Sequence, residues 1–412
     1  MLRFLSFAIA LLSTVTTVVA QNATGCDGSR YKNDLFTNIK KTTVAYAPAV
    51  DHLGSNVQLA MDVYEPQGDI VTKRPVVVMA HGGSFYAGDR TMMAQYCQLL
   101  AKKGYVAATI QYRLYPLFVL GFPDSTAIFD TAVKAMGDMK AAVRYFRENA
   151  AGANLFRVDA NHIFVGGYSA GAVTALNVGF LNSNDSLPSF LATLVKNNGG
   201  LEGSSGTVAN KSQSSKVGAV INLSGGLYRR DWVGADNVPL TSIHGTADQT
   251  VPYVKGLSAN IAYLEGSSLL HAQANAIGLR NTLLTVEGAG HTDLYSLPKY
   301  ANEVAAYWVQ ATTLLESLTC ATTPVFEATV PVISWQLAPN PVQNGMITVT
   351  LPEEIAVVNL HILDVTGREA ARVLNVRSGV TIPLPSLGAG MYFIQLQHDS
   401  SERFEVKRIV VE

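Results

Sequence analysis

The sequence predicts a three-layer α/β domain with a mostly parallel sheet, followed by a small all-β sandwich. Three observations carry that expectation. Short apolar runs alternate with helical stretches from about residue 42 to 318. The alternation stops after Cys320, and only short strand-like segments follow. Of the 412 residues, 48% are hydrophobic and 15% charged, which suits a large buried core and excludes wholesale disorder.

The first region reads as follows. Val57–Val63 alternates in polarity, as a strand with one solvated face does. Pro75–Ala80, Val106–Ile110, His162–Gly167, Ala219–Leu223, Leu240–His244 and Asn281–Val286 are continuous apolar runs, the mark of strands buried on both faces. Helical stretches are expected near 91–103, 131–150, 170–182, 253–276 and 296–317. Helices between buried strands make three layers. Residues 183–216 form an excursion with a glycine-rich stretch, 199–206, that reads as a mobile loop, either a lid or a surface insertion. After a Thr/Val/Pro-rich linker at 326–336, segments 346–351, 357–365, 370–375, 379–384, 391–397 and 405–411 are separated by turn signals. That is a sandwich signature, placed at 337–412.

At the N-terminus, Arg3, the apolar run Phe4–Leu12 and the small exit residue Ala20 read as a secretory signal peptide over 1–20. No later stretch is long and apolar enough to suggest a membrane span. The formal net charge is −1, with no run of five like charges, so nothing marks a nucleic-acid partner. An exported chain with three cysteines suits one disulfide and one spare thiol. Cys97 lies on the apolar face of an expected helix, whereas Cys26 and Cys320 flank the first domain, taken as 21–325. Pairing Cys26 with Cys320 is favoured, although spacing alone does not prove it.

Gly167-Tyr168-Ser169-Ala170-Gly171 follows the run 162–166 and opens a helical stretch. A serine on such a tight turn projects its hydroxyl above the sheet, and the flanking glycines let helix and strand pack closely. His81-Gly82-Gly83-Ser84-Phe85 ends the run 75–80, where backbone N–H groups can face an oxyanion. Gly83, Ser84 and Ala170 are the expected donors, with Gly82 shaping the turn. Asp248 follows the run 240–244, and His291 lies in the glycine-flanked segment after 281–286. Acid then histidine is the chain order such a nucleophile requires. Asp231 and Asp236 are rival acids, but neither immediately follows a buried strand. No metal-ligand spacing or phosphate loop is present, so neither metal nor cofactor is expected.

On these residues, with Tyr112-Arg113-Leu114 and Asp138 through Asn149, residues 42–318 resemble the carboxylesterase and hormone-sensitive-lipase-like branch of the α/β-hydrolases. Ser84 departs from the third glycine of many members, yet keeps a backbone donor. The resemblance implies a serine esterase with Ser169 as nucleophile, His291 as base and Asp248 as its partner, acting on small-molecule or polymer-linked esters through an acyl-enzyme. Pro339-Asn340-Pro341, Leu363 through Gly367, Leu387 through Tyr392 and Lys407-Arg408-Ile409-Val410 resemble a C-terminal sorting domain of the type IX secretion system. That implies a Gram-negative host, passage through the periplasm, contact with the secretion machinery and a secreted or cell-surface protein. The rival readings are a lipase, a serine peptidase of this fold, and a non-catalytic binding protein on a hydrolase scaffold. A lipase would need a broad apolar cap, and Leu117–Phe122 is a segment suited either to an acyl pocket or to core.

Overall fold

Every residue of the strand Arg74–Ala80 is buried, and its two faces feed two different cores. Val76, Val78 and Ala80 pack with one set of helices, Val77 and Met79 with another. This is the period-two alternation of a strand covered on both sides. The computed structural model describes residues 25–234, 238–320, 335–352, 355, 357–364, 369–397 and 407–411. The expected signal peptide, most of the linker, Asp236, His398 and the turn 365–368 lie outside the described residues.

The chain divides into two compact units, Met1–Ala321 and Thr322–Glu412. In the first, eight strands form the main sheet: β1 (Ile39–Val50), β2 (Asn56–Pro66), β3 (Arg74–Ala80), β4 (Val106–Ile110), β5 (Val158–Tyr168), β6 (Val220–Leu223), β7 (Leu240–Gly245) and β8 (Asn281–Val286). Their order is β1-β2-β4-β3-β5-β6-β7-β8. β1, β2 and β4 pair antiparallel, and all pairs from β4 onward are parallel. Helices α1 (Ala94–Lys102) and α5 (Ala301–Thr319) cover one face, through Cys97, Leu100, Tyr307 and Ala311. Helices α2 (Ser125–Ala151), α3 (Ala170–Phe180) and α4 (Ser267–Ala276) cover the other, through Phe129, Met136, Val173, Leu176 and Leu270. The expected three layers and mostly parallel sheet are therefore observed. Cys26 and Cys320 form a disulfide across 294 residues of chain, and Cys97 is a buried free thiol.

Four expectations change. The sheet begins at Ile39 with β1, a half-exposed edge strand whose mixed pattern hides its pairing with β2. The helix expected over 253–276 covers only its second half: Lys255–Ser258 and Ala262–Gly266 form a hairpin, and α4 starts at Ser267. The excursion 183–216 is tied down. It holds two short helices, Ser189–Asn197 and Val208–Lys211. Gly203 lies so close to Gly137 of α2 that a Cβ on Gly137 would come within 2.9 Å of its Cα. Glu202 pairs with Arg144 at 2.7 Å and Lys140 at 3.4 Å. Finally, Leu117–Phe122 is not core and lines no part of the cavity beside Ser169: Phe118 and Phe122 stand out in solvent.

Among the described residues of the second unit, seven strands share one hydrogen-bonded order around their own core of Ile347, Val349, Leu360, Ile362, Ile394 and Ile409. The strand Gln336–Gln343 was hidden by Pro339 and Pro341, which cannot donate to a ladder. They sit where its register with Met346–Thr350 is interrupted, between Ala338 and Gln343.

Candidate active site

The turn between β5 and α3 is made by Ser169, whose backbone lies at φ 55°, ψ −120°. Such positive φ is costly for a residue with a Cβ, on the order of 1–3 kcal/mol, and the surroundings must hold it. Ser169 N–H donates to Leu223 O at 2.9 Å, and Ser169 O accepts from Val173 N–H at 2.9 Å. Glycine is required on both sides. A Cβ on Gly167 would lie 2.3 Å from the Gly171 carbonyl, and one on Gly171 would lie 2.1 Å from Ala80 O. The helix thus packs against the ends of β3 and β5 with no room for a side chain.

His291, in the loop after β8, bridges two groups far away in sequence. Its Nε2 lies 2.8 Å from Ser169 Oγ and its Nδ1 2.6 Å from Asp248 Oδ2. The ring stacks on Tyr168, with centroids 5.2 Å apart and planes 24° apart. Asp248 is held at the end of β7. Its Oδ1 accepts from Thr250 N–H at 2.9 Å and Val251 N–H at 2.8 Å. Burial works to raise its pKa, but hydrogen bonds from His244 and His291 prevail and bring it down to about 2. A carboxylate that stays ionised beside an imidazole fixes the ring's tautomer, with Nδ1–H toward the acid and Nε2 free to accept.

Gly83, Ser84 and Phe85 all have positive φ, at 119°, 53° and 67°. The turn is closed by Tyr86 and Ala87 N–H donating to Gly83 O, and by Tyr115 N–H donating to Phe85 O at 2.8 Å. His81 beneath it stacks on Tyr112 at 4.4 Å, and Tyr112 Oη donates to His81 O at 2.8 Å. A Cβ on Gly82 would lie 3.1 Å from Ser169 Cβ, so the two turns are in contact. Ala170 is the first residue of α3, and first-turn N–H groups have no acceptor within their helix. An apolar cavity of about 50 Å³ opens beside Ser169, between Ser84 and Ala170. Phe85, Phe129, Val173, Ile261 and Leu264 line it. No residue of the excursion 183–216 is among its walls.

The predicted Ser169, Asp248, His291, Gly82, Gly83, Ser84 and Ala170 are therefore gathered at the carboxyl ends of β3, β5, β7 and β8. The rival Asp231 is exposed and paired with Arg229. Among the described residues, four other histidines are engaged elsewhere: His52 near Thr131, His162 on Asp159, His271 on Asn281 and His361 on Glu369. Sequence reading missed His244 as a neighbour of Asp248, at 3.2 Å, and Tyr168 as the platform under His291. The first had a signal, since it lies four residues before the acid on the same strand end.

A parallel-centred sheet with a strand–turn–helix serine at its heart is the arrangement of the α/β-hydrolase fold. Residues 61–227 match the BD-FAE family, and residues 336–412 match the family of the secretion system C-terminal sorting domain. Among solved structures the chain is similar to Thermogutta terrifontis esterase 2 phosphoramylated by tabun. Identity is 19% over 67% of this chain and 93% of that one, with a TM-score of 0.47. The paraoxon-phosphorylated form is similar at 20% identity, with the same coverage and TM-score. A propionate-bound form matches at 20% over 66% of this chain and 93% of that one, with a TM-score of 0.46. No curated protein sequence matches. Among the described residues, no helix is long and apolar enough to cross a membrane.

Proposed function

We propose that the protein is an exported serine esterase that cleaves carboxylic esters through an acyl-enzyme on Ser169. The observation that carries this reading is the imidazole of His291, bonded to Ser169 Oγ on one side and to the Asp248 carboxylate on the other. His291 Nε2 takes the proton of Ser169 as Oγ attacks the ester carbonyl. Asp248 accepts from Nδ1–H and stabilises the imidazolium. The carbonyl oxygen gains the negative charge and is met by N–H groups of Gly83, Ser84 and Ala170, with the start of α3 adding its dipole. The tetrahedral intermediate collapses, and the imidazolium protonates the leaving alcohol. Water, deprotonated by His291, then adds to the acyl-enzyme, and its collapse returns the acid and free Ser169. The apolar cavity beside Ser169 suits an uncharged acyl group.

The match to a sorting domain supports passage through the periplasm and then export to the cell surface or medium, with residues 1–20 as the signal peptide and 337–412 as the address read by the secretion machinery.

The test is paired. The wild-type chain is expected to hydrolyse p-nitrophenyl esters and to be labelled by a fluorophosphonate at Ser169. Ser169→Ala should abolish the label and lower kcat by roughly 10⁴–10⁶, because serine and base act as a unit. An unlabelled, inactive wild type would favour a binding protein on a hydrolase scaffold. Labelling elsewhere would move the nucleophile.

A further inference from the structure

We infer that His244 is a positioning residue that holds the Asp248 carboxylate for His291, at the end of a one-directional relay of buried hydrogen bonds. The inference rests on the triad reading above and adds a fourth side chain to it.

His244 lies in β7 and has no exposed surface. Its Nε2 is 3.0 Å from Val251 O and 3.2 Å from Asp248 Oδ2. A carbonyl oxygen only accepts, so Nε2 carries a hydrogen directed at Val251 O, with Asp248 Oδ2 close beside it. Its Nδ1 faces Ser267 Oγ at 2.8 Å. In the neutral ring Nδ1 then accepts, and Ser267 donates. Ser267 Oγ accepts in turn from Asn222 Nδ2 at 3.0 Å. The amide's orientation is fixed from its other end, where Asn222 Oδ1 accepts from Gly225 N–H at 2.8 Å. Its second hydrogen goes to Ser242 Oγ at 2.9 Å, which leaves the Ser242 proton for His271 Nε2 at 2.7 Å. His271 Nδ1–H then meets Asn281 Oδ1 at 2.6 Å.

Each hydroxyl donates once along this path, and each ring nitrogen has one role. The network therefore fixes the ring's tautomer, with the hydrogen on Nε2 facing Val251 O and the Asp248 carboxylate and with Nδ1 accepting from Ser267. Both imidazoles meet the same oxygen, Oδ2. His244 thereby fixes where that oxygen lies, while Thr250 and Val251 N–H fix Oδ1.

The test uses the full chain and p-nitrophenyl ester kinetics. His244→Asn, which lacks an N–H at the Nε2 position, should lower kcat by about 10–100-fold with KM nearly unchanged, the scale of one hydrogen bond to a charged group. His244→Gln places an amide N–H there and should recover most of that loss. In an Asp248→Asn background, His244→Asn should cost less than about threefold, since the partner it serves is already altered. Ser267→Ala, a milder change, should lower kcat by about 3–10-fold and be similarly silent in that background, which keeps the inference testable if His244→Asn folds poorly. Equal losses in both backgrounds, a rise in KM in place of a fall in kcat, or His244→Gln no better than His244→Asn would each assign His244 to structure alone. Full activity of Asp248→Asn by itself would instead overturn the triad, a result distinct from these.

Discussion

Histidines in this chain illustrate how burial decides what an ionisable residue does. His271 is almost wholly inaccessible, and desolvation lowers its pKa to about 4, opposed by its hydrogen bond to Asn281. The unfolded chain has the ordinary value of about 6.5 and so takes up the proton first. The stability gained by keeping His271 neutral is fully present above about pH 6.5 and is lost as pH falls toward about 4. His81 and His52 are lowered by the same cause and act in the same direction. Urea midpoints should therefore decline between pH 6.5 and 4, and His271→Gln should make that decline shallower without removing it. An unchanged slope in the variant would mean that His271 is not one of the groups responsible. The same residues show what sequence reveals. Ser169 and Asp248 each follow a buried strand and His291 follows the half-exposed edge strand β8, all with glycine or a loop beside them, a local context that marks exposed chemistry. His244 sits within an apolar strand, where only its place four residues before Asp248 sets it apart from core. Its partner Ser267 is brought to it by the hairpin 255–266, which local sequence does not define.

At the scale of elements, the central strands β3 to β7 of the main sheet were legible because burial on both faces leaves largely unbroken apolar runs, whereas the half-exposed edge strand β1 was not. The hairpin 255–266 was not, since its exposed and half-exposed residues carry no such run, and helix α4 follows without a capping side chain. The docking of the excursion was equally hidden, because it depends on contacts between residues some 60–90 apart. Asp138, fully buried in α2, gathers several of these contacts. It pairs with Arg113 at 2.7 Å and accepts from Arg113 N–H at 2.8 Å and from the Ser205 hydroxyl. Arg113 also donates to Val50 O at 2.9 Å. One ion pair thus joins the segment after β4, helix α2, the end of β1 and the excursion. Removing one partner leaves a buried charge without its counterpart, a cost of about 3–5 kcal/mol. Asp138→Ala should lower the free energy of unfolding by that amount in urea titrations. A double change to Arg113→Met with Asp138→Leu should recover part of it. A loss below about 1 kcal/mol for the single variant would show that the pair is not what fastens these elements.

For the whole molecule, the break in sequence pattern after Cys320 coincides with a division into two units that each bury their own core. The proposed catalytic residues, the cavity beside Ser169 and the Cys26–Cys320 disulfide all lie in the first unit. The match to a sorting domain lies wholly in the second. Units with separate cores fold separately when few contacts cross the linker between them. A chain spanning residues 21–325 should therefore fold and hydrolyse p-nitrophenyl esters at close to the full-length rate, measured as kcat/KM after oxidative refolding. Expressed in the native host with its signal peptide, that shortened chain should accumulate in the periplasm, because the address is missing. Residues 327–412 fused to an unrelated periplasmic protein should carry it to the cell exterior. Loss of activity with the fold intact would show that the second unit contributes to the site. An active, shortened chain that still reaches the medium would show that the second unit is not the address, and a carbohydrate-binding role for it would then explain the two-unit design better.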